Sequence, residues 1–194
     1  ALVEGVPHAV ADQLAAHGQA WGTPETLELG RIANAAPPVL KAFDPNGVRI
    51  DVVEYHPAYH ALMRRSVAAG LHASIWDAAE GEASVRSLTR AARLFMTVQA
   101  EAGHLGPMTT TNAAVAALAH APDIVGEWLP KIRARQYDSS ARPMADKQGV
   151  TLGIALTERQ CGSDLTRITT RAEDVRDGTW QVTGHKWFVS APMC

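Results

Sequence analysis

The chain has 194 residues, of which 46% are hydrophobic and 20% charged, and its formal net charge at pH 7 is −2. This composition is ordinary for a globular protein with a sizeable core. The near-neutral charge offers no binding surface for nucleic acid or an anionic membrane, and no apolar run is long enough to span a bilayer. Cys161 and Cys194 form neither a disulfide framework nor a metal-type pair. With an N-terminus that lacks a basic leader, these features predict a cytoplasmic protein.

Helices dominate the predicted structure up to residue 149. Thr23 is an N-cap, followed by a proline at the first helical position and an acid in the first turn, so a helix should run to about Asn34. The pair Pro37-Pro38 should stop this helix. In this half of the chain only residues 48–55 are predicted to be extended.

Two further helices are predicted from apolar side chains at helical spacing. Residues 56–73 carry an i, i+4 ladder that should form a buried stripe on a helix ending near Gly70. Residues 84–101 carry an apolar face and an opposite, arginine-rich face. These faces comprise Leu88, Ala91, Phe95, Val98 and Ala102 on one side, and Arg86, Arg90, Arg93 and Thr97 on the other. We expect the apolar face to pack inward and the arginine row to be solvated or to contact another subunit.

Two shorter helices should complete the helical half. A glycine-rich stretch at 103–107 should stop the preceding helix, and a new helix should span about 112–120. Pro122 should begin the next helix, which Pro130 kinks or restarts. A polar linker at 137–148 follows.

Beyond the linker the hydrophobic period changes from 3.6 toward two, which predicts strands. Residues 150–157 are apolar enough for a buried strand. Residues 168–173 and 179–182 are predicted to pair as a hairpin, because Asp177-Gly178 tolerates the positive φ of a type I′ turn. Residues 185–190 should form a further strand.

The predicted fold is mainly α with a partial antiparallel β domain, an α+β architecture. Residues 1–149 form the helical domain, and residues 150–194 form the first strands of a truncated β domain. So few strands leave an exposed sheet edge, which proteins normally pair or cover.

Two segments of the β part combine hydroxyls, backbone amides and aromatic rings at strand-to-turn transitions. They are 156–164, Leu-Thr-Glu-Arg-Gln-Cys-Gly-Ser-Asp, and 184–190, Gly-His-Lys-Trp-Phe-Val-Ser. An extended backbone of this kind can lie flat against a planar ring system, so these segments predict a flavin site. Glu158 and Asp164 suggest acid–base chemistry, but acids in tight turns most often cap backbone amides, and we favour that role.

Other chemical signals are incomplete. His56 and His60 have the i, i+4 spacing of two zinc ligands but lack an adjacent glutamate and a third ligand, so we predict a helix start and no metal. Cys161 has no securely placed cation beside it that would activate the thiol, which favours a small space-filling side chain. The stretch at 103–107 lacks the preceding strand and the lysine of a P-loop, so a phosphate site is not predicted.

Residues 155–158 and 161–164, Ala-Leu-Thr-Glu and Cys-Gly-Ser-Asp, resemble the signature of the flavin-dependent acyl-CoA dehydrogenases without a gap. Residues 25–31, 56–60 and 184–188 resemble the branch of that family represented by the alkylation-response protein AidB. The resemblance implies an N-terminal helical domain, a middle β-barrel domain and a C-terminal helical bundle. It also implies FAD held between the last two domains and a homotetramer.

Carried over by position, the resemblance implies seven residues that bind FAD: Leu156, Thr157, Gly162, Ser163, Phe188, Val189 and Ser190. The Leu156 backbone and the Thr157 hydroxyl would bind the pyrimidine side of the flavin, and the glycine and serine of the turn would lie near the pyrophosphate or the acyl-CoA chain. Phe188 would lie against the isoalloxazine ring. Ser190 would face the flavin N5, where a hydroxyl donor stabilises the negative charge that arrives with hydride.

Two functions remain open at this point. The first is an FAD-dependent acyl-CoA dehydrogenase, which removes hydrogen across the α,β bond of an acyl-CoA thioester with a carboxylate base located beyond residue 194. The second is an AidB-like flavoprotein that binds DNA through a basic C-terminal region and protects it against alkylation, with little dehydrogenase activity. A helical interaction module without a cofactor would require the signature match to be a coincidence.

Overall fold

The computed structural model describes residues 7–193, and within that range it contains six α-helices and two separate two-stranded antiparallel sheets. The helices are α1 (His8–Trp21), α2 (Pro24–Ala35), α3 (Pro57–Ala68), α4 (Ala83–Ala100), α5 (Leu105–Leu118) and α6 (Pro122–Arg133). The strands are β1 (Val39–Phe43), β2 (Arg49–Glu54), β3 (Arg171–Asp174) and β4 (Trp180–Thr183). The predicted α+β class is confirmed. Among the described residues, none of the helices combines the length and apolar content needed to cross a membrane.

Local sequence signals explain where α2 and α3 begin and end. The Thr23 hydroxyl accepts a hydrogen bond from the Thr26 amide at 3.2 Å, which is the predicted N-cap of α2. At α3 the ring Nδ1 of His56 performs the same task for the Ala58 amide at 3.1 Å. Gly70 follows the end of α3 with φ of 71°, a left-handed conformation that glycine adopts without steric cost.

The predicted ladder on α3 lies in the protein core. Met63, Val67 and Leu71 are buried and pack with Leu105 and Met108 of α5. A second buried cluster joins α5, α6 and the beginning of the β part, and consists of Val115, Ile132 and Val150. The helical half therefore has its own apolar core, to which the first residue of the β part is attached.

The orientation predicted for α4 is wrong. Arg93 is only 8% exposed and Thr97 is fully buried, whereas Phe95 is 59% exposed. Leu88 and Val98, which were also expected to pack inward, are exposed as well. The arginine row thus faces the rest of the molecule, and the apolar row lies on the surface of the described chain.

Hydrogen bonding explains this orientation. The chain between α3 and α4 contains only short 3₁₀ turns. Backbone carbonyls of this connection therefore face α4 and need hydrogen-bond donors. Arg86 donates to the Ile75 and Gly81 carbonyls at 3.0 and 2.7 Å. Arg90 and Arg93 donate to the carbonyls of residues 71 and 69 at 2.7 and 3.1 Å. Because guanidinium groups carry several N–H donors, they satisfy these carbonyls better than apolar side chains could.

Other boundaries in the helical half differ from the prediction. Residues 48–55 are extended as expected, but they pair with a second strand, β1, so that Val39 lies opposite Glu54. α1 was not predicted. α5 begins at Leu105 rather than near residue 112, so the glycine-rich stretch holds both the connection from α4 and the first turn of α5. α6 continues through Pro130 instead of restarting there.

The β part is less regular than predicted. Residues 150–157 and 185–190 do not form continuous strands but meet through isolated bridges. β3 and β4 form the expected hairpin around Asp177-Gly178. The loop is longer than a two-residue type I′ turn, because residues 175–179 close it and the positive φ angles fall on Arg176 and Gly178.

Candidate functional site

The two segments singled out in the β part lie side by side. Isolated antiparallel bridges pair Ile154 with Ser190 and Glu158 with Lys186. The Ser190 amide donates to the Ile154 carbonyl at 3.0 Å, and the amide of residue 187 donates to the carbonyl of residue 157 at 2.8 Å. This register places residue 156 opposite residue 188. The fold therefore brings together both halves of the predicted flavin site, although they are about thirty residues apart in the sequence.

A buried carboxylate holds the two segments in place. Glu158 is 3% exposed and accepts hydrogen bonds from the amides of Thr169 and Thr170 at 2.8 and 3.0 Å. It also accepts a charge-assisted bond from Lys186 Nζ at 2.8 Å. The hydrogen bond from Lys186, followed by those from the two threonines, lowers the pKa of Glu158 far below its ordinary range. Glu158 is thus an ionised structural acceptor, which confirms the expected capping role.

Asp164 has the same kind of environment on a smaller scale. Its carboxylate accepts from the Thr166 hydroxyl at 2.6 Å and from the Thr166 amide at 3.1 Å, and these bonds lower its pKa. Cys161, in the turn between these acids, is a buried free thiol whose backbone pairs with Glu158. The predicted interpretation of Asp164 as a turn cap is confirmed.

Gly153 sets how closely the two segments approach. A Cβ atom on Gly153 would lie 2.4 Å from the Ser190 carbonyl oxygen, so only glycine permits this contact. Gly162 is less crowded, since a Cβ there would lie 3.5 Å from the Thr157 methyl carbon, an ordinary van der Waals contact. The turn that carries Ser163 therefore lies next to Thr157.

The paired segments present groups that a planar polar ligand could use. Phe188 is 80% exposed and has φ of 51°, a left-handed conformation that costs a bulky residue about 1–2 kcal/mol. Such strain often occurs where a ligand is held. Within residues 7–193, the hydroxyls of Thr157, Ser163 and Ser190 have no hydrogen-bond partner. An exposed ring and three available hydroxyls fit the requirements of a flavin.

A cavity of about 490 Å³ lies where the β part meets the helices, and its volume is within the usual range for small-molecule sites. Ser190 is the one residue of the predicted FAD-binding set that lines it. The helical side of the lining includes Pro37, Pro38, Tyr55, Tyr59 and His104.

A buried polar network that sequence reasoning missed borders this cavity, because both Glu101 and His104 belong to its lining. Glu101 Oε2 accepts from His104 Nδ1 at 2.6 Å, and His104 Nε2 meets the Ser66 hydroxyl at 2.8 Å. Trp21 stacks on the His104 ring with a centroid separation of 5.7 Å. Burial acts to raise the pKa of Glu101, but hydrogen bonds from His104 and Gly103 outweigh it and lower the pKa overall. The network fixes the backbone that joins α4 to α5 beside the cavity.

The histidine pair on α3 has structural partners. His56 caps the helix, and His60 Nδ1 forms a hydrogen bond with the Tyr137 hydroxyl at 2.9 Å. Burial, helped by the charge of Arg64, lowers the pKa of His60. Across residues 7–193, no three His, Cys, Asp or Glu side chains gather in a way that could hold a metal ion.

Comparison with known proteins places these features in a family. Residues 1–139 match the sequence profile of the family described as "Adaptive response protein AidB N-terminal domain". The chain is 42% identical over 184 residues to "Putative acyl-CoA dehydrogenase AidB" of Escherichia coli (strain K12), an alignment that covers 94% of this chain and 34% of that protein.

Two solved structures have the same fold. The apo form of Bd2924 is 25% identical with a TM-score of 0.78, over 98% of this chain and 38% of that one. Caenorhabditis elegans ACDH-11 in complex with C11-CoA is 26% identical with a TM-score of 0.77, over 98% of this chain and 32% of that one. The chain thus spans about a third of the length of these relatives. By its profile match and its identity to the Escherichia coli protein, the chain belongs to the AidB branch of the acyl-CoA dehydrogenase family.

Proposed function

We propose that this chain is the N-terminal, flavin-contacting part of an acyl-CoA dehydrogenase that binds FAD and an acyl-CoA thioester. The observation that carries the proposal is the pairing of residues 154–158 with 186–190 beside the 490 Å³ cavity. This pairing brings the exposed ring of Phe188 and the available hydroxyls of Thr157 and Ser190 into two adjacent segments. The name of the Escherichia coli relative and the C11-CoA bound to ACDH-11 support an acyl-CoA substrate.

Each residue of this surface has a distinct part in the proposal. A bound flavin supplies the hydride acceptor. Phe188 provides a flat apolar face for ring stacking, and Thr157 with the Leu156 backbone provides hydrogen bonds to the polar edge. The Ser190 hydroxyl donates to the position where negative charge develops, which stabilises that charge. Gly162, Ser163 and Val189 complete the contact surface.

The base that removes the α-proton is proposed to lie outside this chain. A general base needs an accessible oxygen within hydrogen-bond reach of the substrate. Glu158 and Glu101 are both buried, and both accept several hydrogen bonds that lower their pKa. Neither is therefore suited to proton abstraction.

The flavin contact is tested by the absorption spectrum of the purified full-length protein. Phe188→Ala should weaken FAD binding by at least about fivefold, because aromatic stacking contributes on the order of 1 kcal/mol beyond buried area. Ser190→Ala should retain FAD and shift its reduction potential. Val182→Ala, an exposed substitution on β4, is the matched control and should change neither. A protein that stays colourless after reconstitution with FAD would contradict the proposal.

The substrate class is tested by adding acyl-CoA thioesters of different chain length and branching under anaerobic conditions. We expect the right thioester to bleach the flavin absorbance, since electrons that enter the flavin cannot leave without an acceptor. A flavin that no thioester bleaches would contradict dehydrogenase activity while leaving FAD binding intact.

The adaptive-response description of the matching family favours a second candidate, the AidB-like role in DNA protection. Residues of this chain carry a net charge of −2, so a DNA-binding surface would have to come from elsewhere in the protein. DNA binding by the full-length protein should weaken steeply with salt, because bound phosphates release counterions. Salt-independent or absent DNA binding would exclude this role.

The resemblance also implies a homotetramer, which the mass of the full-length protein in solution tests.

A further inference from the structure

Two cavities meet at one pair of tyrosines. The 490 Å³ cavity that Ser190 lines is bounded on one side by Tyr55 and Tyr59. A second cavity of about 220 Å³ has the same two tyrosines in its lining, and Met193 also lines both. Tyr55 and Tyr59 therefore border both spaces, and we call this pair the tyrosine wall.

This wall is held in place by several contacts. The rings of Tyr55 and Tyr59 stack with a centroid separation of 4.0 Å and an angle of 20° between their planes. The Tyr55 hydroxyl contacts Met193 Sδ at 3.6 Å. His60 packs edge-on against Tyr59 at 5.6 Å and is itself fixed by its hydrogen bond to Tyr137. Tyr59 also packs on the core cluster of α3 and α5, so the wall is anchored to the helical core.

The second cavity differs in character from the first. Val53 and Met63 give it an apolar side, whereas Ser140 and Lys147 give it a polar end. An acyl chain with its reacting end beside Ser190 would occupy the first cavity and would meet the tyrosine wall before it could enter the second.

We propose that Tyr55 and Tyr59 form a partition that limits the length of the acyl chain this protein accepts. This inference rests on the proposed function, since it assumes that the 490 Å³ cavity receives the acyl group. Each methylene transferred from water into the cavity should strengthen binding roughly fourfold. Methylenes that cannot pass the partition should add nothing, so affinity should rise with chain length and then level off.

The test measures binding rather than turnover. S-alkyl-CoA thioethers of increasing chain length lack the carbonyl that acidifies the α-proton, so they bind without being dehydrogenated. Calorimetry with the full-length, FAD-reconstituted protein should give the rise and the plateau. In Tyr59→Ala the plateau should move to longer chains, with roughly fourfold tighter binding for each additional methylene that enters the second cavity. Below the wild-type plateau, each added methylene should still strengthen binding roughly fourfold, as in the wild type.

Three further variants make the test specific. Tyr59→Phe keeps the ring and should keep the wild-type plateau. Tyr55→Ala removes the other ring of the tyrosine wall, at the end of β2. It replaces Tyr59→Ala in the test if Tyr59→Ala does not fold. Val53→Phe combined with Tyr59→Ala fills the second cavity and should return the plateau to its original chain length.

The possible results separate this inference from the function on which it rests. If the wild type binds no thioether of any length, the acyl-CoA function and the partition both fail. If the wild type binds but the plateau stays at the same length in Tyr59→Ala and Tyr55→Ala, the partition is wrong and the acyl-CoA function stands.

Discussion

The helical part of this chain and its β part are stabilised in different ways. In the helical part, apolar side chains such as Leu62 and Met108 are fully buried. In the β part, Val150 and Cys161 are the only buried apolar residues among those described, while Val182 and Phe188 are largely exposed. Hydrogen bonds to Glu158 hold the β part together instead. Apolar packing thus dominates in the helical part, whereas we expect the β part to open locally at lower free energy.

The largest effect should come from the helical core. Leu62→Ala removes a side chain with no exposed surface and should lower the free energy of unfolding by about 2–5 kcal/mol. Val182→Ala, at a position 68% exposed, should change it by less than about 0.5 kcal/mol. Urea denaturation followed by circular dichroism measures both. Similar losses in the two variants would contradict the difference between the two parts.

The inverted orientation of α4 gives the next prediction. Arg93→Ala leaves the Ala69 carbonyl without its donor and removes the charge paired with Glu80, so it should cost about 1–3 kcal/mol. Phe95→Ala, on the exposed face, should cost less than Arg93→Ala in the same urea titration. A larger loss from the phenylalanine would show that the apolar face is the buried one after all.

Gly153→Ala tests the close approach in the β part. The added methyl group must displace the Ser190 carbonyl, which should cost about 1–3 kcal/mol and accelerate hydrogen exchange at the Ser190 amide. Gly126→Ala is the matched control, because Gly126 lies inside α6 and nothing occupies the space around it. There alanine should stabilise the helix by about 0.5–1 kcal/mol. Unchanged exchange at Ser190 in Gly153→Ala would argue against the close contact.

The smallest effect is local and depends on pH. Because the folded pKa of Glu158 is depressed below its ordinary value of 4.5, the stability it contributes is complete above that pH and is lost as the pH falls further. Hydrogen exchange at the Thr169 and Thr170 amides should therefore accelerate relative to the core on acidification. Glu158→Gln should show fast exchange already at neutral pH, and Glu173→Gln, an exposed acid, should behave as the wild type. An acid response that persists in Glu158→Gln would assign it to another group.

Sequence patterns predicted those parts of the fold that depend on neighbouring residues. The N-cap at Thr23 and the apolar ladder on α3 involve residues within a few positions of one another, and both are confirmed. The orientation of α4 could not be predicted in this way. The sequence pattern shows that one face of α4 is apolar and the other is rich in arginine. Which of the two faces packs inward depends on backbone carbonyls of the preceding connection, which need hydrogen-bond donors.

The candidate site, too, could be predicted only in part. The residue types of the two β segments predicted a flavin site, and the structure places these segments side by side. Which residues bind FAD stays a prediction. The network of Glu101, His104 and Ser66 was missed because it requires α3 to pack against the connection between α4 and α5. The only local signal was an acid three positions before a histidine at the end of a helix.

The stacking of Trp21 on His104 has a practical consequence for optical experiments. Trp21 is almost completely shielded from water, whereas Trp180 and Trp187 of the β part are exposed. The chain has five tryptophans, and in the helical part Trp76 is also exposed while Trp128 is partly buried. Iodide in solution should therefore quench Trp76, Trp180 and Trp187 most strongly and leave the blue-shifted emission of Trp21, which reports on the helical core without a label.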